Sequence, residues 1–199
     1  MLQLRTEDAL TYEQNELSHI NSIIEDYAWD DQKNHTKRIK HKISTHTLRQ
    51  QNCRCVYCER LLIGLNPQIE HIADKATYKD FSFETLNLAT ACCYCNGPTN
   101  KHNEDTVLVK NAIYTKCEFK IVHPYLDNIE ENFVYLNNSR LVYDYHKCSE
   151  KGKFTIDTLG WDKIQHLYIS AQVLEERSKP LPIDLEELIV EISTYRPKK

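Results

Sequence analysis

Two cysteine pairs have the type and spacing to hold a metal: Cys55-x-x-Cys58 and Cys92-x-x-Cys95. A two-residue gap turns the chain tightly enough for both sulfurs of a pair to reach one ion. Two such knuckles supply four thiolates, which complete the tetrahedral shell of Zn²⁺ and leave no open position. A zinc held in this way is structural, so any chemistry belongs to the groups it clamps. Between the knuckles lie Glu70-His71 and Asn87, and Asn96 directly follows Cys95. Cys53 and Cys93 neighbour the pairs and compete as ligands, but the two-residue gaps favour Cys55, Cys58, Cys92 and Cys95. Cys117 and Cys148 have no nearby partner and read as buried hydrophobes.

These residues need elements to position them. Gln68 to Ile72 has extended character, with Ile69 and His71 on one face and Glu70 on the other. Asn87 to Ala91 can form a second strand, and Cys92 onward can begin a helix. Upstream, Leu17, Ile20, Ile23, Ile24 and Tyr27 recur at helical spacing, which predicts an amphipathic helix over 12–29. A second helix is expected over about 33–51. Downstream, β signals run from Phe119 to His123, Phe133 to Leu136 and Leu141 to Tyr145, the last two flanking a hairpin turn at 137–140. Residues 153–158 suggest a further strand. Ile164, Leu167, Tyr168, Ala171 and Leu174 mark the core face of a helix after Trp161-Asp162. Asp184 and Glu187 form a capping-box pattern opening a last helix that buries Leu185, Leu188, Ile189 and Ile192. The expected class is α+β. A zinc-clamped core over 53–103 lies between a helical region, 1–52, and an α/β extension, 104–199, that packs on the core or a partner.

The chain has 199 residues, enough to bury a core without disulfides. Its apolar runs are too short to span a bilayer, and Met1 to Arg5 does not open a secretory signal. A cytoplasmic location is therefore expected, where thiols stay reduced and available to metal. The net charge of −4 hides an asymmetry. Eight acids over 1–31 face only Arg5, while residues 32–58 hold seven bases and no acid. Lys37, Arg38, Lys40 and Lys42 form a stripe that can track a phosphate backbone. The plainer reading is a solvated helix face paired with the acidic segment before it.

The ordered motif is Cys-x-x-Cys, Glu70-His71, Asn87-Leu88, Cys-x-x-Cys-Asn96, then Lys101. It resembles the HNH nucleases of the ββα-metal, or His-Me finger, superfamily over about 50 residues. The resemblance implies a ββα-metal core that hydrolyses phosphodiesters of DNA, leaving 5′-phosphate and 3′-hydroxyl ends. It makes His71 the general base, Glu70 and Asn96 the protein ligands of a catalytic Mg²⁺ or Mn²⁺, and Asn87 a brace that orients His71. Asn100, Lys101 or His102 could meet a phosphate or the ion. Glutamate stands at 70 where aspartate is usual, and no proline follows His71 closely.

Cys-x-Tyr-Cys-Glu-Arg at 55–60, His123-Pro124-Tyr125-Leu126-Asp127 and Phe154-Thr155-Ile156-Asp157 extend the resemblance. They look like the small HNH proteins of Septu-type and retron-associated anti-phage systems, which implies an ATPase subunit as partner. A homodimer would make staggered double cuts easy. A zinc-dependent nucleic-acid adaptor without catalysis, or a stand-alone restriction or homing nuclease, are the alternatives.

Overall fold

The computed structural model describes residues 1–24, 28–136, 142–181 and 183–194. Six helices and two small antiparallel hairpins form a mixed α+β fold among the described residues. The site-bearing hairpin pairs β1 (Gln68–His71) with β2 (Leu88–Ala91), in the register Gln68 to Ala91 and His71 to Leu88. Both strands are short, and β2 is buried along its whole length.

Helix α1 (Gln14–Ile23) lies inside the predicted 12–29 span, and Tyr27 falls outside the described residues. Helix α2 (Asn34–Gln50) matches the expected basic helix. Its inner residues Ile39 and Ile43 pack with Ile20, Ile23, Phe83 and Leu88, which seats the helix on β2. The seat is also polar. Gln51, just past the helix, gives its Nε2 to the Thr90 carbonyl at 2.8 Å and accepts the Thr90 amide at 2.8 Å. Thr47 and Thr90 hydroxyls meet at 2.6 Å. A side-chain amide thus completes the ladder of β2 where a third strand would otherwise be needed.

Several expectations are corrected. Residues 153–158 lie in helix α4 (Glu150–Leu159), not in a strand, because Ser149 accepts the Gly152 amide as N-cap and Gly160 closes the helix in the left-handed region. The strand at Phe119 to His123 shrinks to β4 (Glu118–Phe119), paired with β3 (Val107–Val109). The hairpin around 133–145 comes down to one bridge, Tyr135 to Tyr143, and residues 137–141 lie outside the described residues. No helix follows Cys92; residues 93–103 run as turns. Pro98 has no amide to continue a helix and restrains Gly97 before it. A Cβ at Gly97 would lie 2.2 Å from the Cys93 carbonyl oxygen, so the turn closes only around glycine.

The short helix α3 (Ile129–Asn132) precedes α4, and α5 (Ile164–Arg177) and α6 (Leu185–Thr194) end the fold. Helix α6 buries Leu188, Ile189 and Ile192 against α2 as expected, with Leu185 half-buried and Asp184 accepting the Glu186 amide at its start. Helix α5 is turned the other way: His166, Ile169 and Val173 are buried, whereas Ile164, Leu167, Tyr168 and Leu174 are exposed. No helix among the described residues is long and apolar enough to cross a membrane.

Candidate metal centre and the histidine behind it

The sulfurs of Cys55, Cys58, Cys92 and Cys95 lie within 4.8 Å of one another, and all four residues are buried. Cys58 and Cys92 sulfurs are 3.7 Å apart, near the edge of about 3.8 Å that Zn–S bonds of roughly 2.3 Å give a tetrahedron. Hydrogen bonds from the other three thiols, Cys55 first, pull the Cys92 thiol far below its ordinary value, while burial pushes Cys58 and Cys95 up. Four soft, buried donors around one point fit a structural Zn²⁺. Cys53 is buried outside this group and Cys93 is exposed, so neither displaces a member.

The clamp carries β1 between its halves, and the pleat of β1 sends its side chains two ways. On one face Glu70 turns inward at 1% exposure. Its Oε1 accepts from the Tyr57 hydroxyl at 2.8 Å and meets the Lys101 ammonium at 2.8 Å. Lys101, also 1% exposed, donates to the His71 carbonyl at 2.9 Å. Asn96 joins this face through Gln68, donating from Nδ2 to Oε1 at 3.2 Å.

His71 occupies the other face. Its Nε2 lies 3.1 Å from the Ser82 carbonyl, so Nε2 carries the proton and Nδ1 is left as the acceptor. The Trp29 ring stands perpendicular to the imidazole at 4.3 Å and touches Phe83 at 5.1 Å. Burial pushes the His71 ring down to about 3, against the Ser82 hydrogen bond and helped by Lys75, Lys101 and Lys40. The imidazole is neutral throughout the physiological range.

Asn87 pins the loop between His71 and Ser82 at both ends. Its Oδ1 accepts the Ala73 amide at 2.6 Å, and its Nδ2 donates to the carbonyls of Ala73 at 3.1 Å and Phe81 at 2.9 Å. The Tyr114 hydroxyl also donates to Asn87 Oδ1, at 2.9 Å. Behind it, His123 Nδ1 accepts the Tyr125 amide at 3.2 Å, so Nε2 carries the proton and donates to the Tyr114 oxygen at 2.9 Å. A one-way chain therefore runs from His123 through Tyr114 to Asn87. Asn87 thus bonds to the loop after His71 and to Tyr114, and its side-chain hydrogen bonds do not include the His71 ring.

The other expected positions divide. Lys37 and Arg38 are exposed and, with Asn34 and His41, border an open 440 Å³ depression. Lys40 lies over the Trp29 ring at 5.0 Å. Lys42 is tied to Glu16 at 2.6 Å, which is the plainer ion-pair reading of the stripe. Lys101, expected at a phosphate, is instead the buried partner of Glu70. Glu70 with Asn96 and His71 lie on opposite faces of β1, and an ammonium already neutralises Glu70. This donor set does not fit a divalent cation beside His71. Tyr57, Trp29, Ser82, Tyr114 and His123 also belong to the arrangement. Tyr57 and His123 lie in the motifs at 55–60 and 123–127, whereas Trp29, Tyr114 and the Ser82 carbonyl leave no signature. A separate 540 Å³ cavity, lined in part by Tyr57, Phe133, Tyr143 and His166, does not include His71.

Comparison with protein-family models and with curated proteins finds no match to this chain.

Proposed function

We propose that the chain is a zinc-clamped HNH-type endonuclease that hydrolyses phosphodiester bonds of DNA, with His71 as general base. The observation that carries this reading is the state of His71. Its proton is fixed on Nε2 by Ser82, its Nδ1 is an acceptor, and Lys40 and Lys75 act on it electrostatically. Nδ1 would take a proton from water as the oxygen attacks phosphorus in line, and the 3′ oxygen would leave and be protonated from solvent. A base held near 3 is weak, but a phosphodiester entering beside it brings negative charge that raises its proton affinity. Zn²⁺ in the four-cysteine site would hold β1 and β2 in register. Recruitment by an ATPase subunit in anti-phage defence suits a chain of net charge −4.

A second reading is favoured by one specific observation. Glu70 is paired with Lys101 and faces away from His71, an arrangement that also suits a nucleic-acid adaptor without catalysis. Plasmid cleavage by zinc-loaded protein, with and without Mg²⁺ or Mn²⁺, decides between them beside a His71→Ala control of equal zinc content. Cutting that is lost in the variant supports the nuclease. Binding without cutting by either protein supports the adaptor.

A further inference from the structure

We infer that Lys40 and Lys75, with the Trp29 ring beside them, form an anion seat above His71 that receives a backbone phosphate of a nucleic-acid strand, and that the Asp30 carboxylate occupies this seat in the free protein. The inference deepens the nuclease reading by naming a substrate subsite, but it concerns binding alone.

Trp29 and Asp30 are adjacent and reach opposite parts of one small region. Trp29 roofs His71, its ring 4.3 Å from the imidazole, with the Lys40 ammonium 5.0 Å from its centre. Asp30 sends Oδ1 to within 3.8 Å of the Lys75 ammonium. Lys75 is only 35% exposed, whereas Asp30 is 70% exposed, so the cation belongs to the protein and the anion sits at the rim. Lys75 lies in the Asn87-braced loop just after His71, and Lys40 lies on α2 across from it. Asp30 acts on Lys40 as well, where its charge offsets the repulsion from Lys75. Two cations brought together from separate elements cost repulsion unless an anion lies between them. A carboxylate with 3.8 Å geometry and high exposure is a weak occupant. A phosphate, with more acceptor oxygens and a strand of further charges behind it, would displace it.

The test uses oligothymidylate as probe and Trp29 fluorescence as readout in full-length zinc-loaded protein, with Trp29→Phe showing which signal belongs to that ring. Inorganic phosphate is titrated in parallel as the isolated anion. The expected result is quenching by the oligonucleotide, two- to fivefold tighter binding for Asp30→Asn, and weaker binding for Lys75→Gln. The log–log salt slope of Lys75→Gln should flatten by about 0.7, the value of one phosphate contact on a single strand. Competition by inorganic phosphate should be removed by the same Lys75→Gln change. Unchanged affinity and slope in both Asp30→Asn and Lys75→Gln would overturn the seat, even if the protein cuts DNA. The expected pattern in a protein that never cuts, His71→Ala included, would leave the seat standing and remove the nuclease.

Discussion

The Lys101 ammonium lies 2.8 Å from the Glu70 carboxylate with both side chains 1% exposed, and the same ammonium holds the His71 carbonyl. This pair, 31 positions apart in sequence, ties the turn after the second knuckle to the strand that carries His71. A buried pair gains little over an apolar replacement, but a broken one leaves a charge with no partner.

Lys101→Met should therefore cost about 3–5 kcal/mol of stability. The double variant Glu70→Gln, Lys101→Met should recover much of that loss, because no buried charge remains. Urea denaturation of the two single variants and the double variant measures the coupling. Simple additivity of the single costs would show that the two groups do not act as a pair.

Purified protein should hold one zinc per chain. Cys92→Ser should lose it, while Cys93→Ser should keep it, since Cys93 is exposed and outside the cluster. Metal analysis after gel filtration reads this directly. Equal loss in both variants would contradict the ligand set.

Tyr114→Phe removes a hydroxyl that is both donor to Asn87 and acceptor from His123. It leaves the His123 Nε2 proton buried without a partner, at about 1–3 kcal/mol. Amide exchange at Ala73, whose N–H goes to Asn87, should accelerate relative to amides of α6. An unchanged Ala73 amide would mean that the chain from His123 does not brace the loop.

Stability should fall on acidification below neutrality. Burial holds His71 and His123 at about 3 in the folded state and His166 at about 4, against roughly 6.5 unfolded. These folded values are depressed, so between pH 6.5 and their folded values the unfolded chain binds more protons. The contribution is fully present above pH 6.5. Below it, each ring removes up to about 1.4 kcal/mol per pH unit. Denaturant midpoints at saturating zinc from pH 7.5 to 5 should drop accordingly, and ring NMR signals of His71 and His123 should not titrate above pH 5. Titration of either near 6.5 would refute its burial.

What could be read from the sequence was local. The knuckles show because a two-residue gap is itself the geometry, and α6 shows because one face of it is clearly apolar. Helix α5 misled because residues 164–174 carry no charge, so two stripes competed and tertiary packing chose His166, Ile169 and Val173. Residues 153–158 misled because Phe154 and Ile156 alternate like a strand, while the signals that decide, Ser149 and Gly160, stand outside the run. Strand alternation did separate Glu70 from His71. It could not reveal that Lys101 waits on the Glu70 side, because a long-range pair leaves no periodic trace.

The two halves of the thiol cluster are 34 positions apart at Cys58 and Cys92, and β1, His71, the braced loop and β2 all lie within that interval. A metal there acts as the clasp of a ring. In chain-entropy terms a cross-link around such a loop removes on the order of 4 kcal/mol of freedom from the open chain. Glu70, His71, Lys75, Ser82, Phe83 and Asn87, all given parts in this arrangement, ride on the ring itself. Opening the clasp would return their freedom together, so metal supply would govern the whole constellation as a single unit.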